Sequence, residues 1–150
     1  MQLRHVVADF GLKSMNRTHQ AVLRLSGGRV LSRPFGIPAI KLHTTGRKTG
    51  RDRVTMLIAP IADAQRVVLV ASKGGDDRDP DWFCNLVEHP DVVVVMDGVL
   101  RAMRARMATE EERAALWPRV VDAYRGYASY QRRTARQIPL VICELRPATG

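Results

Sequence analysis

The chain has 150 residues, of which 45% are hydrophobic and 26% are charged. This length fits one domain of ordinary size, and the apolar fraction can build a core, which argues against wholesale disorder. No run of about 18 apolar residues occurs, and Asp9, Lys13 and Arg17 interrupt the apolar stretch near the N-terminus. We therefore expect a single cytoplasmic domain over residues 1–150, with neither a membrane span nor a signal peptide.

The positive charge is concentrated in the first third of the chain. Residues 1–53 contain 11 Lys and Arg against two Asp, a net charge of +9, whereas residues 54–150 are neutral. Such asymmetry is typical of proteins that bind a polyanion, which leaves nucleic acid, an anionic membrane or a phosphorylated cofactor as partners. Cys84 and Cys143 form no Cys-x-x-Cys pair, and the four histidines lack metal-ligand spacing, so no metal is expected.

In chain order, the first element is a helix. Apolar residues recur at helical spacing over residues 3–25, which predicts an amphipathic N-terminal helix within residues 1–30. A Pro- and Gly-rich loop follows, and then a series of short strand signals. Strands are predicted over Ala39–Thr45, Arg53–Pro60, Arg66–Ser72, Asp91–Met96, Val99–Met107 and Pro139–Leu145. Asp97-Gly98 predicts a tight type I′ hairpin turn between the fourth and fifth strands.

Two helices interrupt these strands. Asp79 is predicted as the N-cap of the first, with Pro80 at its first helical position and its end near Glu88. Thr109 and Glu112 form a capping box that opens the second helix. Pro118 predicts a kink or a fresh helical start within it, and the pattern fades over residues 124–130. Short, hairpin-connected strands without repeated βαβ units favour a small, mainly β (α+β) antiparallel barrel with helices packed on it.

The segment TTGRKTGRDR, residues 44–53, joins the first two strands and is suited to an anion. Gly46 and Gly50 allow backbone amides to approach a ligand closely, and Thr45 and Thr49 add hydroxyl groups. Four cations lie within seven residues: Arg47, Lys48, Arg51 and Arg53. The alternative interpretation is a solvated basic hairpin tip. No Walker-type phosphate loop occurs in the sequence.

Three further segments are candidates for the same site. After Ala71, the residues Ser72-Lys73-Gly74-Gly75 place a hydroxyl, an ammonium and bare amides at the end of a strand, although this segment alone favours a plain turn. Trp82 and Asn85 share a helix face and could cover a cofactor ring; in the alternative interpretation Trp82 belongs to the core and Asn85 caps locally. The three tyrosines recur every third residue, as a core stripe or as a pocket lining: Tyr124, Tyr127 and Tyr130.

Four blocks of sequence, in order, carry a family resemblance. They are TTGRKTGRDRV (44–54), VASKGGDDRDPDWFCNLVEHPDV (70–92), ATEEERAALWPRVVDAYRGYASYQ (108–131) and IPLVICEL (138–145). With these blocks the chain resembles the deazaflavin-dependent nitroreductase family, small quinone reductases that use coenzyme F-420. The resemblance implies a split β-barrel like that of the flavin-binding pyridoxamine-phosphate-oxidase group. It also implies a 5-deazaflavin cofactor with a ribityl phosphate and a lactyl oligoglutamate tail, a polyanion that matches the basic first third.

The resemblance also implies roles for individual residues. Arg47, Lys48 and Arg53 would hold the phosphate and glutamate end, while Ser72 and Lys73 would lie beside the phosphate and the deazaflavin. The other residues assigned to the cofactor by these blocks are Thr45, Thr49, Gly50, Ala71, Gly74, Trp82 and Asn85. The tyrosine series would line the acceptor pocket, with Tyr127 or Tyr130 as a hydrogen-bond or proton donor and Ser72 as an orienting group.

The sequence departs from the family pattern in two places. Where relatives have Asn-Pro and an aromatic residue, this chain has Thr55-Met56-Leu57-Ile58, and the first forty residues match poorly. In the family that N-terminal region is a mobile amphipathic helix that helps to cover the acceptor. The departures make the acceptor, a quinone or a nitro compound, the property least transferable to this chain.

Other functions remain open at this point. An FMN-dependent reductase on the same barrel would need fewer cations, because FMN lacks the glutamate tail. A basic nucleic-acid-binding barrel is disfavoured because no aromatic residue lies within residues 41–53 to stack on bases. Residues 3–25 predict peripheral contact with an anionic membrane on the cytoplasmic face, which is compatible with a lipid-soluble quinone. Both a monomer and a homodimer fit the sequence.

Overall fold

The structure is a computed structural model that describes residues 36–147. The helix predicted within residues 1–30, including its proposed membrane segment 3–25, lies outside the described residues. The strands are β1 (Ala39–Thr45), β2 (Asp52–Ile58), β3 (Ile61–Ala62), β4 (Arg66–Val70), β5 (Asp91–Met96), β6 (Val99–Met107) and β7 (Leu140–Leu145). The helices are α1 (Asp81–Glu88), α2 (Glu110–Ala123) and α3 (Gly126–Arg132).

The strands form one sheet in the order β2-β1-β5-β6-β7-β4-β3, in which neighbouring strands pair antiparallel. The sheet curls into a half-barrel with flanking helices, so the predicted mainly β split barrel is confirmed. The described part has seven strands where about six were predicted. The additional strand, β3, has only two residues, too few to show the alternation on which strand prediction depends.

Two hydrophobic clusters lie on opposite faces of the sheet. The inner cluster packs side chains of β1 and β4 to β7 against Trp82, Phe83 and Leu86 of α1. The outer cluster packs the other face of β4 and β7 against α2 and Tyr127 of α3. Because β4 and β7 are buried on both faces, their sequences are continuous apolar runs rather than alternating ones.

The turn and the helix cap predicted from sequence are confirmed. Asp97 and Gly98 have φ of 51° and 77°, the paired positive values that a type I′ turn needs. At the start of α2, the Glu112 amide donates to Thr109 Oγ1 at 3.1 Å and the Thr109 amide donates to Glu112 Oε1 at 2.9 Å. This reciprocal pair is the capping box, and it satisfies two amides that the first helical turn leaves unpaired.

The predicted start of α1 was wrong, and of the two outcomes predicted at Pro118, a kink or a fresh helical start, the fresh start does not occur. Helix α1 begins at Asp81, with Pro80 as its N-cap and no side-chain cap. Asp79 is therefore not the N-cap, and its carboxylate accepts a hydrogen bond from Arg136 at 3.0 Å. Helix α2 continues through Pro118, and the next helix starts at Gly126, in the segment where the sequence pattern fades.

Candidate cofactor and acceptor site

The cationic loop, residues 44–53, and the Ser72 corner, residues 71–75, emerge at the same end of the barrel. From β1 through β5, β6 and β7 to β4, each strand is antiparallel to the next. Four reversals of direction make β1 and β4 run the same way. Strand β1, which ends at Thr45, and strand β4, which ends at Val70, therefore end on the same side of the sheet. Two loops that form one cleft must follow strands that end on the same side.

The cationic loop has a fixed backbone. The Gly46 amide donates to the Arg51 carbonyl at 2.7 Å, and the Gly50 amide donates to the Gly46 carbonyl at 2.8 Å. A Cβ atom at Gly46 would lie 2.8 Å from Thr49 Oγ1, so only glycine fits without a shift of that side chain. Gly50 has φ of 70°, the left-handed conformation that glycine adopts without strain. The loop is therefore a preformed turn.

Asn85 of α1 anchors this loop from beneath. Its side-chain oxygen accepts from the Arg47 amide at 3.1 Å and from Arg47 Nη1 at 2.9 Å, while its Nδ2 donates to Thr44 Oγ1 at 3.3 Å. Arg47 also forms an ion pair with Asp81 at 3.5 Å. Asn85 and Thr44 are both buried, at 5% and 3% exposure, so Asn85 acts on a ligand through the loop that it holds.

Three cations of the loop are directed to solvent. Lys48, Arg51 and Arg53 are exposed, and no carboxylate in residues 36–147 lies within 4 Å of them. Thr49 Oγ1 accepts from the Arg51 amide at 3.2 Å, and Thr45 is half-buried at the loop entrance. Unpaired cations on a rigid turn repel one another, and an anion bound there would relieve that repulsion.

Trp82 belongs to the core. Its side chain is 7% exposed and packs in the inner cluster, with its ring centroid 6.4 Å from that of Phe83. The structure thus favours the core alternative for Trp82, and little of its surface is left to contact a ligand.

The Ser72 corner is a strained turn that packs against α3. Lys73, Gly74 and Gly75 have φ of 46°, 64° and 85° in succession. A Cβ atom at Gly75 would lie 2.7 Å from the Tyr130 carbonyl oxygen, so the close approach of the two backbones requires glycine. Arg133 Nη1 donates to the Gly74 carbonyl at 3.2 Å. The corner is thus brought together with α3, the tyrosine helix, which carries Tyr127 and Tyr130 and is distant from the corner in sequence.

The three tyrosines form one aromatic cluster. Their ring centroids are 5.0 to 6.3 Å apart in edge-to-face arrangements, and the hydroxyls of Tyr124 and Tyr130 are 3.3 Å apart. Tyr127 is 4% exposed and packs in the outer cluster, whereas Tyr124 and Tyr130 are half-buried. The core alternative therefore holds for Tyr127, and Tyr124 and Tyr130 are the more exposed residues of the cluster.

The local environment keeps the hydroxyls of Tyr127 and Tyr130 protonated. The hydrogen bond with Tyr124, followed by burial, raises the pKa of Tyr130 to about 12. Burial raises the pKa of Tyr127 still further above its ordinary value. At neutral pH both groups keep their protons, so Tyr130 can donate a hydrogen bond or a proton to a bound molecule.

Sequence reasoning missed two residues that shape the site. Arg136 donates hydrogen bonds to the carbonyls of Ala71, Ser72 and Asp76, and no periodic pattern marks it in the sequence. Gly126 makes room for Tyr124, because a Cβ atom there would lie 2.5 Å from that ring. The Tyr-x-Gly-Tyr spacing was a usable signal for Gly126.

Two surface grooves are lined by residues other than the predicted site residues. One, of about 650 Å³, runs between α2 and α3 and is lined by residues that include Trp117, Arg125 and Arg132. The other lies at the opposite end of β4 and β7, beside Asp63 and Glu144. Within residues 36–147, no group of three His, Cys, Asp or Glu side chains is placed to hold a metal ion. None of the described helices is long and apolar enough to cross a membrane.

Comparison with known proteins first defines a class. A solved structure described as an F420-H2 dependent reductase (FDR-A) superposes with a TM-score of 0.65 at 37% identity, over 71% of this chain and 94% of that one. A second, described as a domain-swapped dimer, superposes with a TM-score of 0.68 at 34% identity, over 85% of this chain and 94% of that one. The half-barrel is thus the fold of a coenzyme F-420-dependent reductase.

The family follows from the sequence. Residues 15–145 match the F420H(2)-dependent quinone reductase family, and the chain belongs to that family. The Mycobacterium tuberculosis F420H(2)-dependent quinone reductase Rv1261c is 37% identical over 134 residues, which are 87% of this chain and 89% of that protein. Rv3178 of the same organism is 40% identical over 111 residues, 74% of this chain and 91% of that protein. The match begins at residue 15, so the poor fit expected over the first forty residues was too broad.

Proposed function

We propose that this chain is an oxidoreductase that transfers a hydride from reduced coenzyme F-420 to a quinone. The observation that carries the proposal is the preformed cationic loop, in which Lys48, Arg51 and Arg53 have no acidic partner among residues 36–147, in a chain of this family. These donors suit the phosphate and glutamate carboxylates of the coenzyme, because cations that keep no internal partner bind an external anion without first breaking an ion pair.

The coenzyme would lie across the shared end of the barrel. Lys48 and Arg53 hold its phosphate and glutamate end, with Arg47 fixing the loop and Thr45, Thr49 and Gly50 adding hydroxyl and amide donors. Ala71, Ser72, Lys73 and Gly74 approach the phosphate and the ring from the Ser72 corner. The support for this placement is the common end of β1 and β4 and the position of α1, whose residue Asn85 holds the loop.

When bound, the deazaflavin supplies a hydride at its ring carbon, and the protein supplies position and polarity. Tyr130 holds its proton at neutral pH and donates a hydrogen bond or the proton to the forming hydroxyl of the acceptor. Tyr124 is 3.3 Å from the Tyr130 hydroxyl and aligns it. Tyr127 supports both rings from the core, and the Ser72 hydroxyl orients the ring or the acceptor.

The wider assignments are also proposals. Nitroaromatic and nitroimidazole compounds are further acceptors to test, because they accept a hydride as quinones do. We propose a cytoplasmic enzyme that contacts the anionic inner face of the membrane through residues 3–25, where lipid-soluble quinones are found. A homodimer is suggested by the relative described as a domain-swapped dimer. Liposome flotation of the chain with and without residues 1–25 tests the membrane contact.

A direct assay tests the reaction. Purified protein is mixed with reduced coenzyme F-420 and a water-soluble menaquinone analogue, and the return of the oxidised deazaflavin absorbance is followed. We expect turnover that requires both protein and quinone. The matched reaction with reduced FMN tests the alternative, an FMN-dependent reductase on the same barrel, and faster turnover with FMN would favour it. Salt-dependent retardation of DNA or RNA without any reductase activity would favour the nucleic-acid-binding alternative.

A further inference from the structure

Arg136 lies between α3 and β7 and binds the Ser72 corner from behind. Its Nε donates to the Asp76 carbonyl at 2.9 Å, and its Nη2 donates to the carbonyls of Ala71 and Ser72 at 3.2 and 3.0 Å. Its Nη1 donates to Asp79 Oδ1 at 3.0 Å. The arginine side chain is only 17% exposed, so these bonds are largely shielded from water. One guanidinium therefore holds four acceptors from residues 71–79.

These contacts orient the peptide groups of the corner. No peptide bond in residues 36–147 is cis. In a trans peptide the carbonyl and the following amide N–H point in opposite directions. By drawing the carbonyls of Ala71 and Ser72 toward itself, Arg136 turns the amides of Ser72 and Lys73 to the other side of the turn. This is the side on which an anionic ligand of the corner would be bound.

The turn needs such a restraint. Lys73 has φ of 46°, a left-handed conformation that is unfavourable for a residue with a side chain. Strained residues persist where the surroundings fix them. Arg136 supplies one restraint, and the close approach of Gly75 to the Tyr130 backbone supplies another. The corner and the tyrosine helix are consequently held as one unit.

We propose that Arg136 is a positioning residue that sets the geometry of the Ser72 corner for coenzyme binding. The identity of the ligand rests on the proposed function, whereas the restraint on the corner does not. Arginine is required at this position because its planar fork reaches several acceptors at once. The ammonium group of lysine is a single point that reaches fewer of them.

The test measures the corner and the ligand separately. Hydrogen exchange of the protein without coenzyme is followed by mass spectrometry for Arg136→Met and Arg136→Lys. Coenzyme F-420 affinity is measured by fluorescence titration. For Arg136→Met we expect faster exchange in residues 71–80, unchanged exchange in β5 and β6, and at least about tenfold weaker coenzyme binding. Arg136→Lys should lie between Arg136→Met and the unmodified protein.

Two controls make the result specific. Arg132→Met removes an exposed arginine of α3 whose guanidinium contacts only Ser129 among the residues described, and we expect both readouts to be unchanged. Asp79→Asn keeps the arginine and its bonds to the three carbonyls, so we expect coenzyme affinity within about threefold of the original. Added methylguanidinium should restore part of the coenzyme affinity of Arg136→Ala, which a general loss of fold would not allow.

The outcomes separate this proposal from the proposed function. Unchanged exchange in residues 71–80 of Arg136→Met, or faster exchange with unchanged coenzyme affinity, would overturn the positioning role. If the unmodified protein binds no coenzyme F-420 while Arg136→Met loosens the corner, the proposed function fails and the restraint by Arg136 stands. If Arg136→Met does not fold, the proposal is tested with Arg136→Lys. Hydrogen exchange and coenzyme affinity equal to those of the original protein in that variant would refute the requirement for a guanidinium at this position.

Discussion

The buried amide of Asn85 connects α1 to the cationic loop, and its removal should loosen both. Asn85→Ala deletes the hydrogen bonds to Thr44 Oγ1, the Arg47 amide and Arg47 Nη1. The two neutral bonds contribute about 1 kcal/mol each, and a bond to a charged donor contributes about 1.5–3 kcal/mol. The Arg47 side chain is 26% exposed, so water replaces part of that last contribution. We expect the free energy of unfolding to fall by about 2–4 kcal/mol.

Thermal unfolding by circular dichroism measures this loss. At about 2–4 °C per kcal/mol for a domain of this size, Tm should fall by roughly 5–15 °C. Asn85→Asp keeps oxygen acceptors for Arg47 and can accept from the Thr44 hydroxyl, so it should lose much less. Glu88→Ala, an exposed change on the same helix, should leave Tm unchanged. A Tm for Asn85→Ala within 2 °C or so of the original would refute the anchoring role.

Three further predictions concern binding, turnover and pH. Lys48→Ala or Arg53→Ala should weaken coenzyme F-420 binding at least about tenfold in a fluorescence titration, because each removes a charge-assisted contact. Tyr130→Phe should lower turnover with a quinone while coenzyme affinity stays near normal. Hydrogen bonds from Arg106 lower the pKa of Glu112 from 4.5 to about 2, so the stability that Glu112 contributes is present above pH 4.5 and is lost as pH falls toward 2. The free energy of unfolding of Glu112→Gln should accordingly approach that of the original between pH 4.5 and 2.

Each of these predictions has a contrary result. Unchanged coenzyme affinity in both loop variants would remove the loop from the site. Equal steady-state turnover of Tyr130→Phe would remove that hydroxyl from the reaction. A constant stability difference between Glu112→Gln and the original across pH 2–7 would show that the ion pair with Arg106 does not stabilise the fold.

The strands could be predicted well because their signals are local. Val99–Met107 and Asp91–Met96 flank an Asp-Gly turn, and their bounds agree with the structure. Strands β4 and β7 are short apolar runs because both of their faces are buried. A short apolar run is a pattern from which such a buried strand can be predicted. Asp79 was misassigned because its partner, Arg136, lies 57 residues away and competes with the cap.

The site was predictable in its chemistry and less so in its packing. Glycine spacing and charge density marked the cationic loop without tertiary information. Whether Trp82 and Tyr127 line the pocket or belong to the core is shown by their burial. Their burial depends on which helices pack on the sheet, and the local sequence does not show this. The role of Arg136 depends on a contact between the end of α3 and the corner after β4, which no local pattern encodes.

The most direct measurement compares coenzyme F-420 with a deazaflavin analogue that lacks the phosphate and glutamate tail. Both ligands are titrated into the original protein and into the Lys48→Ala/Arg53→Ala double variant. If the cationic loop holds the tail, the analogue should bind the original protein at least about 100-fold more weakly than coenzyme F-420 does. For the double variant, the difference in affinity between the two ligands should be far smaller. An equal loss of affinity in both proteins would contradict the assignment of this loop to the coenzyme.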